Sequence, residues 1–218
     1  MKTKEELRRR FFLKEEQWQE LTMEYYYRES VYIDFYYDDS IFSLSRQNLW
    51  LRKRFDQKSN FVYQLIKLDN SGNLDSYEKY EDLEKIKKLC NIHNFDEIDS
   101  KLKTFCELNV HKETICIPHI TEGLGHIGFK VTKNFVTSPN DSSWSYTVYD
   151  LKYIKGVEGL SLPEKTRVID LMCKESKWDN TYMYGRVIEY LRNFSPDHFT
   201  KLVNNFVCPP FPENIAVI

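Results

Sequence analysis

Residues 36–67 read Tyr36-Tyr37-Asp38-Asp39-Ser40-Ile41-Phe42-Ser43-Leu44, then Leu49-Trp50-Leu51-Arg52-Lys53-Arg54, then Phe61-Val62-Tyr63-Gln64-Leu65-Ile66-Lys67. The last two runs flank Asp56-Gln57-Lys58-Ser59-Asn60, the pattern of a β-hairpin with a polar turn. Between Arg46 and Lys67 stand six basic residues (Arg46, Arg52, Lys53, Arg54, Lys58, Lys67) and one acid, Asp56, in a chain of net charge only −2. Arg52 and Arg54 are two apart, so a strand points both guanidiniums to one face. Paired guanidiniums with a nearby ammonium suit bidentate capture of phosphate. A basic, solvent-facing strand is the plainer reading. Trp50, Phe61 and Tyr63 weigh against it, because they place these strands in the core of a sheet.

The rest of the chain sets the bounds. Its 218 residues suffice for one large or two small domains, and a chain of that length buries roughly 70% of its unfolded surface without a disulfide or metal staple. Charged residues at 29% and hydrophobic ones at 41% are ordinary for a globular chain. An aromatic share of 15% favours β-structure. Net charge near zero argues against a general nucleic-acid binder, so any electrostatic function is local. The five cysteines (Cys90, Cys106, Cys116, Cys173, Cys208) contain no Cys-x-x-Cys pair, which removes zinc-knuckle and redox motifs. The first residues lack the apolar core of a signal peptide, and no apolar run is long enough to span a bilayer. The expectation is a cytoplasmic monomer with reduced thiols and neither membrane nor nucleic-acid partner.

Hydropathy patterning orders the elements. Residues 5–12 fit a strand or a short helix, Glu15–Met23 a helix, and Tyr25–Tyr37 a strand. Asp38-Asp39-Ser40 is placed to cap a helical turn over Ile41–Gln47. After the hairpin, a strand is expected near Leu74–Tyr80, then helices over Glu81–Asn91 and Phe95–Phe105. Cys106–Ile120 reads as either strand or irregular chain. Ile127–Thr137 and Trp144–Ile154 form a second hairpin, with a short strand over Lys155–Leu160. Helices follow over Glu164–Lys174, Tyr184–Asn193 and Pro196–Asn205, the last with Ser195 as N-cap. The outcome is an α+β domain over residues 1–205 and an irregular Pro-rich tail over 206–218.

In this order, the motifs resemble the CYTH superfamily of triphosphate tunnel metalloenzymes, and within it the thiamine triphosphatases most closely. Asp34–Arg54 carries the resemblance, through Tyr36-Tyr37-Asp38-Asp39, Leu44, and Leu49-Trp50-Leu51-Arg52-Lys53-Arg54. Lys88-Leu89-Cys90, Leu124-Gly125 with Val131-Thr132-Lys133, and Gly185–Pro196 agree with it. The resemblance implies an antiparallel eight-stranded β-barrel with surrounding and C-terminal helices and a polar bore that takes a triphosphate-containing small molecule. It implies Mg²⁺ or Mn²⁺ as cofactor and hydrolysis of the triphosphate as the reaction. By the same resemblance Arg10, Arg52, Arg54, Lys133 and Arg186 hold phosphates, Tyr36 and Lys67 serve catalysis, and Glu6, Asp150 and Glu158 hold the metal. An alternative register puts Ile66 at the Lys67 position.

The departures lie on the acidic side. Arg8 stands where the family has a second Glu, Gly156 where a late Glu-x-Glu strand has its first acid, Lys152 where a further acid is expected, and Asn134 replaces an Arg. A guanidinium ~5 Å from a divalent ion is repelled by on the order of 6 kcal/mol at an effective dielectric of ~20. Arg8 therefore either swings away or replaces the metal. The second case describes a weakly active or inactive triphosphate-binding barrel, the alternative to the enzyme.

Other motifs are weaker. The five histidines lack ligand spacing, and no cysteine has the neighbours of a nucleophile. Gly123-x-Gly125-x-x-Gly128 matches the glycines of a dinucleotide site, but a strand rather than a helix is expected after it.

Overall fold

The inner and outer faces of the sheet follow from strand alternation. In a computed structural model describing residues 4–68, 75–121, 125–155, 160–179 and 183–210, the strands are β1 (Lys4–Phe11), β2 (Tyr27–Asp38), β3 (Leu49–Asp56), β4 (Phe61–Leu68), β5 (Asp75–Tyr80), β6 (Lys103–Thr121), β7 (Gly125–Ser138) and β8 (Asp141–Lys155). All pair antiparallel in the order β1-β5-β4-β3-β2-β6-β7-β8, and β8 returns to β1 to close a barrel. On β3, Trp50, Arg52 and Arg54 face the bore, while Leu51 is fully buried on the outside.

Helices cover the outer apolar faces. Against β3 and β4 lie α2 (Leu83–Cys90) and α3 (Ile98–Lys101), with Leu51, Leu65, Ile86 and Ile98 all at 0% exposure. Against β1, β7 and β8 lie α1 (Glu15–Glu24) and α4 (Leu162–Glu175), which bring Trp18, Val168 and Ile169 onto Phe11, Phe129, Val131 and Leu151. Each fully buried side chain of this kind is worth roughly 1.5–3 kcal/mol. The third cluster joins α5 (Arg186–Phe194) and α6 (Pro196–Asn204) to Tyr36, Trp50, Leu108, Val110 and Val136 of the strands, so these helices plug one end of the barrel.

Caps explain the element ends. Asp38 accepts from the backbone N–H of Leu44 and Ser45 at 3.0 and 2.9 Å, and Asp39 from Ile41 and Ser43, fixing the loop before a 3₁₀ turn at Ser45–Gln47. Asp82 caps α2 through Lys85 N–H. Ser161 and Glu164 form a capping box on α4.

Three expectations change. The helix expected over Phe95–Phe105 stops at Lys101, and β6 starts at Lys103. Ladder pairing with β2, Asp38 opposite Lys103 and Tyr37 opposite Thr104, overrides local helix preference there. β8 begins at Asp141, so its turn from β7 is shorter than the pattern suggested. Ser195 sits between α5 and α6 but makes no side-chain cap bond. The strand expected over Lys155–Leu160 falls mostly on residues 156–159, outside the described residues, as does the tail over 211–218. Strand β7 starts at Gly125, which removes the dinucleotide reading of the glycines. Among the described residues, no helix is long and apolar enough to cross a membrane.

Candidate functional site

The barrel encloses a cavity of about 290 Å³ whose walls come from every region of the sheet. Five arginines line it: Arg8 and Arg10 from β1, Arg52 and Arg54 from β3, and Arg186 from the first position of α5. Four lysines join them: Lys79, Lys112, Lys130 and Lys152 from β5, β6, β7 and β8. Among the described residues of the lining the one carboxylate is Asp150.

Beneath this lining lies Asp34, at 0% exposure. The β2–β3 register places it opposite Arg54, with Tyr36 opposite Arg52. Arg54 donates to it through Nε and Nη2 at 2.6 and 2.7 Å, Arg186 through Nη2 at 2.7 Å, and Arg52 through Nη1 at 3.1 Å. Burial opposes ionisation of Asp34, but Arg52, Arg186 and Arg54 outweigh it and hold the carboxyl well below the usual range. One carboxylate thus orders three guanidiniums. The Tyr36 hydroxyl accepts from Arg52 at 3.2 Å and Arg186 at 3.1 Å, Gln64 accepts from Arg52 at 2.6 and 2.9 Å, and Arg54 lies 3.5 Å over the Tyr32 ring. The cluster is fixed before any anion arrives, which minimises reorganisation on binding.

Two further details shape the wall. Gly185 caps α5 without a side chain, and a Cβ there would come within 2.9 Å of Arg10 Nη2. The Arg10 guanidinium packs directly on this glycine, and a side chain there would require it to shift. Lys112 is pushed down to about 7 by burial and then by Lys130, Lys152, Arg54 and Arg186.

Of the residues expected from sequence, Tyr36, Arg10, Arg52, Arg54, Arg186 and Asp150 are brought together in the bore. Lys67 is not. It is exposed on the outer face of β4, while Ile66 and Leu68 line the cavity, so the register is the alternative one. Lys133 also points outward, bonded to Glu15 of α1 at 2.8 Å and lying 5.9 Å over Trp18; the bore residues of β7 are Lys130, Thr132 and Asn134. Glu6 pairs with Tyr77 in the backbone register, and its side chain lies outside the described residues, as does all of Glu158. The sequence reading missed Asp34, Lys112 and Lys130. Asp34 stands two residues from Tyr36 and Lys130 four from Asn134, a spacing that gives their face but not their partners, while on β6 the sequence reading offers Lys112 no inward reference position.

A divalent cation does not fit the described acids. No three His, Cys, Asp or Glu side chains converge among the described residues. Asp150 lies 3.5 Å from Arg8 Nε and 3.8 Å from Arg10 Nε, and accepts from Asn134 at 3.2 Å. The Arg8 guanidinium has not swung away. It stacks 5.1 Å over Tyr77 inside the bore.

Comparison with protein-family profiles and with curated proteins returns no match. Solved structures do match. A Pyrococcus horikoshii OT3 protein superposes with a TM-score of 0.56 at 14% identity, over 86% of this chain and 98% of its own. A candidate adenylate cyclase from Bacillus halodurans gives 0.50 at 15% identity, over 89% of this chain and 100% of its own. A candidate adenylyl cyclase from Hippeastrum with a dominant triphosphatase activity gives 0.49 at 12% identity, over 88% and 98%. The first two likenesses are of fold alone, and in this chain that fold is a closed antiparallel barrel of eight strands.

Proposed function

We propose that the bore binds a small molecule carrying a triphosphate, with Arg10, Arg52, Arg54 and Arg186 in its deeper wall. The observation that carries this reading is the convergence of five arginines and four lysines on one cavity with one described lining carboxylate. A triphosphate leaves water only where fixed donors replace its hydration, and charge-assisted bonds from guanidiniums are the strongest such donors. Hydrolysis in the manner of thiamine triphosphatases is the second reading. Tyr36 favours it, because a phenol held between Arg52 and Arg186 at the floor of the cavity is placed to orient a water. Asp150, one acid that reading gives to the metal, is engaged by Arg8, Arg10 and Asn134, so binding is the function the geometry supports best.

The test is phosphate release from thiamine triphosphate, inorganic triphosphate and ATP, each with Mg²⁺, Mn²⁺ or EDTA, beside melting temperature with the same compounds. Binding raises the melting temperature by mass action, equivalent to about 2.7 kcal/mol at a ligand concentration of ~100 Kd. Turnover would establish the enzyme. Neither turnover nor stabilisation would remove both readings.

Two outcomes follow from the placement of the lysines. Lys67→Ala and Lys133→Ala leave tripolyphosphate affinity within about twofold in calorimetric titration. Loss of the Lys133–Glu15 pair costs about 0–1 kcal/mol of stability, because Glu15 is solvent-exposed. A tenfold affinity loss in either variant would place that lysine in the bore.

Lys112 gives a pH signature. Its folded-state value lies below its unfolded one, so the unfolded chain binds the extra proton between about 7 and the usual lysine range. Its contribution therefore makes stability rise with pH across that window. Lys112→Met accordingly melts higher than the parent at pH 6, and the gap narrows as pH rises above 7. The groups acting on it are Lys130 on β7, Lys152 on β8, Arg54 on β3 and Arg186 on α5, with Asn134 its cross-strand neighbour. A gap that does not change with pH would mean that Lys112 is charged throughout.

A further inference from the structure

Three adjacent strands of the barrel carry positive charge in register. Arg8 of β1 is directly opposite Lys152 of β8, and Lys152 is directly opposite Lys130 of β7. All three line the cavity. Cross-strand partners hold their Cβ atoms about 4.5–5.5 Å apart, and like charges so placed destabilise the sheet. A surface sheet would let such side chains diverge into water, whereas these converge inside a closed barrel. Among the described contacts that offset the repulsion are Asp150 at 3.5 Å from Arg8, and Tyr77, whose ring lies 5.1 Å from the Arg8 guanidinium and 4.8 Å from the Lys152 ammonium and whose hydroxyl bonds Lys152. The row occupies the wall where a two-sided triphosphate site needs acids to hold a metal, and the described acids there do not form such a site.

We infer that the Arg8–Lys152–Lys130 row takes the place of a divalent cation, so that the bore captures its anion without a metal. This rests on the triphosphate-binding reading above and deepens it. A metal chelate of triphosphate carries less negative charge than the free anion and would bring a further cation against the row. The ligand that matches this wall is the free polyanion. An anion in the bore would relieve the repulsion between these directly opposed like charges, which couples ligand binding to the stability of the sheet.

The experiment titrates the full chain with sodium tripolyphosphate, once in EDTA and once with excess Mg²⁺. The inference expects binding in EDTA that Mg²⁺ weakens by about tenfold. Binding that requires Mg²⁺, or is tighter with it, overturns the inference and leaves triphosphate binding standing. Binding in neither condition removes the functional reading itself. A second measurement separates a binding role from a structural one. Lys130→Met and Lys152→Met should each weaken binding in EDTA by about tenfold while raising the melting temperature of the unliganded protein. If both variants melt lower than the parent, the row supports the fold and the inference fails; Lys130 serves as the cleaner position because Lys152 also bonds Tyr77. Arg8→Glu should reverse the metal effect, so that Mg²⁺ strengthens binding in that variant. Unchanged Mg²⁺ sensitivity would count against the row.

Discussion

Asp34→Asn lowers the free energy of unfolding by about 3–5 kcal/mol in urea titration at pH 7. The amide keeps the shape of the carboxylate and can accept a hydrogen bond, so the loss is one of charge. Three guanidiniums then share a buried cluster from which the one carboxylate they contact in common among the described residues has been removed. The folded-state carboxyl is depressed, so its contribution is complete above the unfolded value near 4 and is lost as pH falls through the folded one. The gap between parent and variant should therefore hold at pH 7 and shrink in acid below about pH 4. Tripolyphosphate should recover part of the loss, since an anion in the bore supplies charge near the same arginines. Equal stability of the two proteins would mean that the arginines do not depend on Asp34.

The second large effect is on affinity. Arg52→Ala combined with Arg54→Ala reduces tripolyphosphate affinity by about 100-fold or more, equivalent to ~3 kcal/mol. Arg52 acts through charge and position, because its Nε and Nη2 already serve Gln64 and its Nη1 serves Asp34 and Tyr36. Arg52→Lys is the informative companion, since it keeps the charge and loses the planar fork that orders its neighbours. It should bind more weakly than the parent and more tightly than the double variant. Parent-like affinity in the double variant, shown by calorimetry on folded protein, would take strand β3 out of the binding site.

The stretch from Tyr36 to Arg54 was legible because it carries both the period of a strand and an unusual charge pattern. The same alternation that put Arg52 and Arg54 on one face also put Trp50 there, and the barrel agrees. Asp34 was not legible as a site residue. In sequence it is one acid in an aromatic strand, and only the β2–β3 register reveals that it sits beneath three arginines brought from β3 and α5. Lys67 and Lys133 failed for a related reason. Period two fixes which residues share a face, but a one-residue slip exchanges the faces, and charge alone does not select between Ile66 and Lys67 or between Thr132 and Lys133. Packing selects: Leu65 at 0% exposure is committed to the outer core, which turns Lys67 outward with it. The long strand β6 was ambiguous because its partners on both sides are distant in sequence, and a one-dimensional reading does not supply them.

The helical plug at the end of the barrel has a consequence for molecules longer than the cavity. With α5 and α6 packed among Tyr36, Trp50, Leu108 and Val136, the deep end of the bore is a wall rather than an exit. On the binding reading proposed above, a chain-like anion would reach Arg186, at the start of α5, with its terminal groups, and interior groups would remain farther from the helices. On that reading the barrel would distinguish ends from middles by geometry alone.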